Sequence, residues 1–144
     1  MIEQLFNKKR APFMTVRNGQ LHLNDEAFNE LTVQIQSAQP VRKLFAARRL
    51  KCWSLDCTTG KDGQFCEFCS ERNACSLRLQ LRLVCSIEEQ DTPAILEVPK
   101  YSFRAFDRML EHIGGLDKLP DTLVQITTVR AENGWTNLDF KAIF

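Results

Sequence analysis

The sequence lacks a long apolar run. No stretch approaches the roughly 18 consecutive apolar residues of a membrane span, and residues 1–10, Met-Ile-Glu-Gln-Leu-Phe-Asn-Lys-Lys-Arg, have no apolar core of the signal-peptide kind. We therefore expect a cytoplasmic protein with no membrane partner. Because reducing conditions favour free thiols, we interpret the cysteines discussed below as metal ligands in preference to a disulfide framework.

Residues and motifs typical of enzymes are also scarce. The chain has only two histidines, His22 and His112, and neither is near the cysteines in sequence. It has no Gly-rich phosphate loop, no Gly-x-Ser-x-Gly motif and no His-x-Glu element of the zinc deaminases. A catalytic zinc usually has histidine or carboxylate ligands and an open position. We therefore predict a binding protein and no enzyme such as a hydrolase or deaminase.

The charge is nearly balanced, at +1 overall, but it is unevenly distributed. Residues 42–82 contain nine Lys or Arg against four Asp or Glu, whereas residues 83–144 contain six against ten. A local excess of positive charge can mark a surface that meets a polyanion, although a solvated surface gives the same pattern. The positive segment is the one that contains most of the cysteines.

With 144 residues, 44% of them hydrophobic, the chain has the composition of one globular domain, residues 1–144. We expect a flexible arm at residues 1–12 and an N-terminal β extension at residues 13–40, with a hairpin around Arg17-Asn18-Gly19. A strand at residues 31–35 should end at a turn at Gln39-Pro40.

Alternation of apolar and polar residues predicts strands at residues 41–55, 77–85 and 94–98. Apolar residues that recur every three or four positions then predict a helix at residues 102–114, with Ser102 as N-cap and Gly114 as its end. Strands at residues 123–131 and 135–144, joined by residues 132–134, complete the order. We predict a mainly β fold: an OB-fold-like five-stranded barrel with one helix between strands 3 and 4, a zinc-loop insertion between strands 1 and 2, and an extra N-terminal hairpin. The alternative is a mixed β-sandwich with one helix.

The cysteines have the spacing of a metal site. The segment Cys66-Glu67-Phe68-Cys69 is a Cys-x-x-Cys turn, and Cys75 follows it closely. The predicted Cys-rich metal loop, residues 52–75, has little apolar material to order it, so a structural Zn²⁺ is the expected cofactor. The fourth ligand is Cys52 or Cys57, whereas Cys85 follows alternating leucines and is expected in the core.

The run Cys52-Trp53-Ser54-Leu55-Asp56-Cys57, the pair Cys66 and Cys69, and Ala74-Cys75 before a basic alternating strand resemble a family known from bacteriophages and integrated mobile elements. The pattern of these zinc-containing, OB-fold single-stranded-DNA-binding proteins is Cys-x-Ser-x-Asp-Gly, Cys-x-x-Cys and Ala-Cys. The segment Leu96-Glu97-Val98-Pro99-Lys100-Tyr101-Ser102 matches the same layout, so the likeness covers roughly residues 40–144. It implies a metal set of Cys52, Cys66, Cys69 and Cys75, with Cys57 at the family's glycine position.

Basic and aromatic side chains lie on one face of the predicted strands. OB-folds bind single strands through a basic groove and aromatic rings on which bases stack. The candidate nucleic-acid-binding residues are Phe45, Arg49, Lys51, Trp53, Arg78, Arg82 and Tyr101. The expected function is binding of single-stranded nucleic acid, most simply DNA, in phage or mobile-element replication or recombination. The alternative is a protein-interaction module with structural zinc, whose partners are replication, recombination or mobile-element proteins.

Overall fold

The computed structural model describes residues 11–71, 74–130 and 135–143. Within these residues the fold is mainly β, with nine strands in one sheet and one α-helix, so the predicted class and the predicted single helix are confirmed. The strands are β1 (Phe13–Arg17), β2 (Gln20–Leu23), β3 (Glu26–Phe28), β4 (Glu30–Ala46), β5 (Arg49–Ser54), β6 (Ser76–Ile87), β7 (Gln90–Pro99), β8 (Leu123–Arg130) and β9 (Thr136–Ile143). The helix, α1, is Phe103–Ile113, inside the predicted span of residues 102–114.

Strand β4 pairs with three other strands of the sheet. Its first part pairs with β8, its length from Val33 onward pairs with β6, and its end pairs with β5. Leu31, Val33 and Ile35 are buried on one face, as their alternation with polar residues requires. The turn that the sequence predicts at Gln39-Pro40 is absent, because β4 continues through Pro40. Proline is tolerated there because it needs no amide hydrogen bond to a second neighbouring strand, and β6 is the only strand paired at this position among the described residues.

The prediction of one strand at residues 41–55 is wrong. Strand β4 ends at Ala46 and β5 returns antiparallel from Arg49, so the segment is a hairpin. The two turn residues, Ala47 and Arg48, have φ values of 51° and 66°. Both lie in the left-handed region, as a two-residue hairpin turn requires. The sequence conceals this turn because neither position carries the glycine, asparagine or aspartate that usually marks it.

The strand order of the sheet is β3-β2-β1-β7-β6-β4-β8-β9, with β5 attached to β4. The sheet is open and mixed, since β1 runs parallel to β7 and the other pairs are antiparallel. Among the described residues no pairing joins β7 to β9, the contact that would close a five-stranded barrel. Instead β1 occupies the edge of β7, with Phe13 opposite Ile95 and a hydrogen bond of 3.0 Å from the Ile95 amide to the Pro12 carbonyl.

The N-terminal strands belong to the same hydrophobic core as the rest of the chain. Met14, Leu21 and Leu23 are buried and pack in one cluster with residues of β4, β6, β7, α1, β8 and β9. Residues 13–28 therefore extend the sheet and contribute to the core. Residues 1–10 of the predicted arm at residues 1–12 lie outside the described residues. The predicted turn at residues 132–134 also lies outside them.

Helix α1 covers one end of the sheet. Phe106 and Met109 are buried, and the Phe106 ring meets Phe140 of β9 edge to face at 5.2 Å. Gly114 ends the helix with φ of 100°, and its amide donates to the Leu110 carbonyl. Ser102 precedes the helix, but its side chain forms no cap hydrogen bond; its hydroxyl accepts one from the Leu138 amide at 3.0 Å. The helix and β9 are thereby joined.

In the described part of the chain, no helix has both the length and the apolar character needed to cross a membrane.

Candidate functional site

Four cysteines line one small cavity. They are Cys52, Cys66, Cys69 and Cys75, and the cavity volume is about 60 Å³. Cys52 lies on β5 opposite Leu44 of β4. The other three come from the loop between β5 and β6. The hairpin and the loop thus contribute to the same cavity.

Local hydrogen bonds determine the course of the cysteine loop. Cys66 and Cys69 flank a single 3₁₀ turn in which the Cys69 amide donates to the Cys66 carbonyl at 3.2 Å. The Cys66 amide donates to Thr58 at 2.7 Å, which ties the two sides of the loop together. The Gln64 amide lies 3.6 Å from the Cys52 sulfur, to which it donates. Burial raises the pKa of the Cys75 thiol, and the neighbouring Cys69 sulfur raises it further.

Cys57 lies outside the lining of this cavity. It lies within a turn built on Asp56, whose carboxylate accepts hydrogen bonds from the amides of Thr58 and Thr59, each at 2.8 Å. These two amide bonds, together with one from the Ser54 hydroxyl, lower the pKa of Asp56. Burial raises the pKa of Cys57, and nearby Arg42 opposes that change.

The cysteine cavity has the donor chemistry of a zinc site, although its side chains are not drawn together. Across residues 11–71, 74–130 and 135–143, no three Cys, His, Asp or Glu side chains are grouped closely enough to hold a metal ion as they are placed. All six cysteines lie within these ranges and all are free thiols. Arg42 lines the cavity as well, and its buried Nε has no hydrogen-bond partner among the described residues. A guanidinium beside four thiols is a suitable donor to thiolates.

A larger groove of about 340 Å³ lies beside the hairpin of β4 and β5. We call it the hairpin groove. Its lining residues are Ala11, Phe13, Lys43, Leu50, Trp53, Leu55, Gln80, Arg82 and Ile95. It combines aromatic and aliphatic side chains with two cations. Phe13, Leu50, Trp53 and Leu55 remain between 40% and 52% exposed, which is high for large apolar side chains next to a core.

A buried carboxylate organises the cations beside the groove. Glu97 of β7, only 8% exposed, accepts from Lys43 at 2.6 Å and from Arg78 at 3.4 Å. The Gln80 amide donates to it at 3.2 Å. Beyond these bonds, the Arg78 guanidinium lies 5.2 Å from the centre of the Phe45 ring. Arg78 is therefore held between a carboxylate and an aromatic face.

Trp53 links the two cavities. It lines both the cysteine cavity and the hairpin groove, and it lies opposite Lys43 in the pairing of β4 with β5. The Lys61 ammonium lies 5.7 Å from the centre of its ring. The cysteine loop thus lies next to Trp53, the groove-lining aromatic side chain that the sequence singled out.

The structure brings only some of the predicted nucleic-acid residues together. Trp53 and Arg82 line the hairpin groove, and Phe45 contacts Arg78 beside it. Arg49 is exposed next to the hairpin turn, opposite Ala46.

Lys51 and Tyr101 are placed elsewhere. Lys51 binds Glu71 of the cysteine loop at 2.8 Å, and this hydrogen bond raises the pKa of the lysine. The Tyr101 ring contacts that of Trp135 in a tilted arrangement, with ring centres 5.0 Å apart. Neither residue lines the hairpin groove.

Among the residues that build the groove, sequence reasoning missed the lining residues Lys43 and Phe13 and the carboxylate Glu97 beside them. Lys43 lies two residues before Phe45 in a predicted strand, so the alternation of strand faces could have grouped it with Phe45. Phe13 comes from the N-terminal extension, and only the parallel pairing of β1 with β7 brings it to the groove. Glu97 lies in an alternating strand, but no sequence signal identifies its two basic partners.

No protein-family model, curated protein sequence or solved structure matches the chain.

Proposed function

We propose that the protein binds single-stranded nucleic acid, most simply DNA, in the hairpin groove. The observation that carries this proposal is that exposed aromatic rings and an exposed cation share one groove, above all Trp53 and Phe13 with Arg82. Bases stack on aromatic rings at roughly 1–3 kcal/mol each, while cations contact the phosphates. A single strand has unstacked bases that match the aromatic rings and phosphates that match the positive charge.

A structural Zn²⁺ bound by Cys52, Cys66, Cys69 and Cys75 is part of the proposal. These four thiols line one cavity, and Cys57 does not. Zinc bound to four thiolates supplies folding free energy without an open catalytic position. Arg42 would offset part of the negative charge of the thiolates. Through Cys52 the metal would hold the loop against β5, next to Trp53.

The finer fold assignment belongs to the same proposal. The neighbouring strands β7, β6, β4, β8 and β9 follow the order in which an OB-fold arranges its third, second, first, fourth and fifth strands. The helix lies between β7 and β8, where the OB-fold has it. Together with the resemblance of the cysteine pattern, this order supports a role in phage or mobile-element replication or recombination.

The test of binding is titration of a fluorescent single-stranded oligonucleotide at two salt concentrations. Affinity should fall steeply with salt, because each phosphate contact releases counterions. Arg82→Gln should weaken binding and reduce the salt slope by about one. Arg108→Gln, on the exposed face of α1, is the matched control and should change neither. Absence of binding even at low salt contradicts the proposal.

A protein-interaction role is the second candidate. Phe65 and Phe68 of the cysteine loop are 59% and 80% exposed, and their rings meet edge to face at 6.4 Å. Neither lines the hairpin groove. The test is co-purification of a stoichiometric partner that is lost in the double variant Phe65→Ser and Phe68→Ser. If this result is obtained and the protein binds no oligonucleotide, the second function replaces the first.

A further inference from the structure

A second exposed aromatic surface lies away from the hairpin groove. Tyr101, in the 3₁₀ turn Lys100–Ser102, meets Trp135 at 5.0 Å between ring centres, with the ring planes tilted by 47°. Tyr101 is 46% exposed and Trp135 is 56% exposed. We call the pair the Tyr–Trp platform. Rings of this size usually bury more of their surface against the core.

The backbone around the platform is firmly anchored. The Tyr101 hydroxyl donates to the Thr136 carbonyl at 3.1 Å. The Thr136 hydroxyl accepts from the Gly19 amide at 2.9 Å, and the Ser102 hydroxyl accepts from the Leu138 amide at 3.0 Å. One of these three long-range hydrogen bonds holds the Tyr101 ring itself, and the other two anchor the residues that follow Tyr101 and Trp135. Preorganisation of this kind lowers the entropic cost of binding a flat ligand.

Exposed cations adjoin the platform residues in the chain and in the sheet. Lys100 precedes Tyr101 and is exposed, and Arg130 of β8 is exposed and pairs with Thr136, the residue after Trp135. On the side of the hairpin groove, Arg78 pairs with Pro99, two residues before Tyr101. One cross-strand step of about 5 Å and two residues of chain place the backbone of Tyr101 within about 10 Å of that of Arg78. Arg78, whose guanidinium lies against the Phe45 ring, therefore belongs to a strand segment close to the platform.

We infer that the Tyr–Trp platform is a second base-stacking site for the strand that occupies the hairpin groove. This inference rests on the proposed function. Aromatic rings match an unstacked nucleobase, and the flanking Lys100 and Arg130 match the phosphates on either side of it. The strand would pass from Trp53 over Arg78 to Tyr101 and Trp135. A nucleic-acid ligand is favoured over an apolar peptide because exposed cations adjoin the platform residues in the chain and in the sheet.

The chain offers a direct test, since Trp53 and Trp135 are its only two tryptophans. Trp53→Phe leaves Trp135 as the single reporter, and Trp135→Phe leaves Trp53. Both proteins are titrated with single-stranded oligothymidine, and tryptophan fluorescence is followed together with anisotropy of the labelled strand. We expect stacking to quench Trp135 over the same concentration range in which anisotropy reports binding.

A second pair of variants separates stacking from folding. Tyr101→Phe keeps the ring and loses the hydrogen bond to Thr136, whereas Tyr101→Ala removes the ring. We expect Tyr101→Ala to lower affinity by about fivefold or more, the equivalent of one base stack, and Tyr101→Phe to retain most of it. Thermal melting shows whether each variant is folded.

The outcomes are distinguishable. If Trp53 is quenched on binding while Trp135 is unchanged and folded Tyr101→Ala binds like wild type, the platform is not a nucleobase site and the inference is wrong. If anisotropy shows no binding by the wild-type protein, the proposed function itself fails, and the inference fails with it.

Discussion

Glu97 offers the sharpest test of how the groove is built. Its carboxylate is almost buried and receives Lys43, Arg78 and Gln80 at 2.6, 3.4 and 3.2 Å. Glu97→Gln keeps the size of the side chain and one acceptor oxygen but removes the negative charge. The perturbation therefore isolates the charge that holds the two cations.

The magnitude follows from the burial of the partners. The Lys43 side chain is only 14% exposed and that of Arg78 33%, so both would lose a carboxylate that water replaces poorly. Removing one member of a buried ion pair costs about 3–5 kcal/mol. The remaining acceptor oxygen and the flexible lysine chain recover part of this. We expect the free energy of unfolding to fall by about 2–3 kcal/mol.

Urea denaturation measures the change, and Glu111→Gln is the matched control. Glu111 is exposed on α1, so its substitution should change stability by less than about 0.5 kcal/mol. Adding Lys43→Met to Glu97→Gln should restore part of the lost stability, because the double variant no longer buries an unpaired ammonium. If Glu97→Gln is as stable as Glu111→Gln, the carboxylate does not hold the cations and the reasoning is refuted.

Three further predictions concern the core and the cysteines. Leu21→Ala should lower the free energy of unfolding by about 2–5 kcal/mol, whereas the exposed control Leu116→Ala should have little effect; equal melting of the two would mean that the N-terminal strands are not part of the core. Burial raises the pKa of the Cys85 thiol to about 12, so at pH 8 it is protonated and a thiol reagent should label it only after denaturation; labelling in the folded state would contradict its burial. Metal analysis should find about one zinc per chain in the Cys57→Ser variant and less in Cys66→Ser, and loss of zinc in Cys57→Ser would make Cys57 a ligand.

Most of the regular elements are readable from the sequence because their signals are local. Leu81 and Leu83 of β6, and Phe106 and Met109 of the helix, are buried as their periodicity requires. The turn at Ala47-Arg48 is not readable, since both residues adopt positive φ without the usual residue types, and the hairpin is stabilised by pairing with the rest of the sheet. The Gln39-Pro40 prediction failed for a related reason. A proline at an unpaired edge loses no strand hydrogen bond, and the sequence does not reveal which edge is paired.

Part of the candidate site can likewise be read from the sequence, and part of it cannot. Cysteine spacing identified the loop, and strand parity identified Trp53, Arg78 and Arg82, because both are properties of nearby residues. The choice between Cys52 and Cys57 could not be made from spacing, whereas in the folded chain Cys52 lines the cavity with the other three. The sequence interpretation counted Tyr101 among the candidate nucleic-acid-binding residues, yet its ring lies against Trp135 and does not line the groove.

The amino-acid sequence determines the β-rich character, the helix and the cysteine-rich segment, since periodicity and spacing act over a few residues. The tertiary structure alone decides which distant residues meet. The parallel pairing of β1 with β7 brings Phe13 to the groove, and the pairing of β6 with β7 places Glu97 beside Arg78. The contact between the start of β9 and the turn after β7 creates the Tyr–Trp platform. These contacts depend on strand order and register, which are set by burial of one shared core across the whole chain.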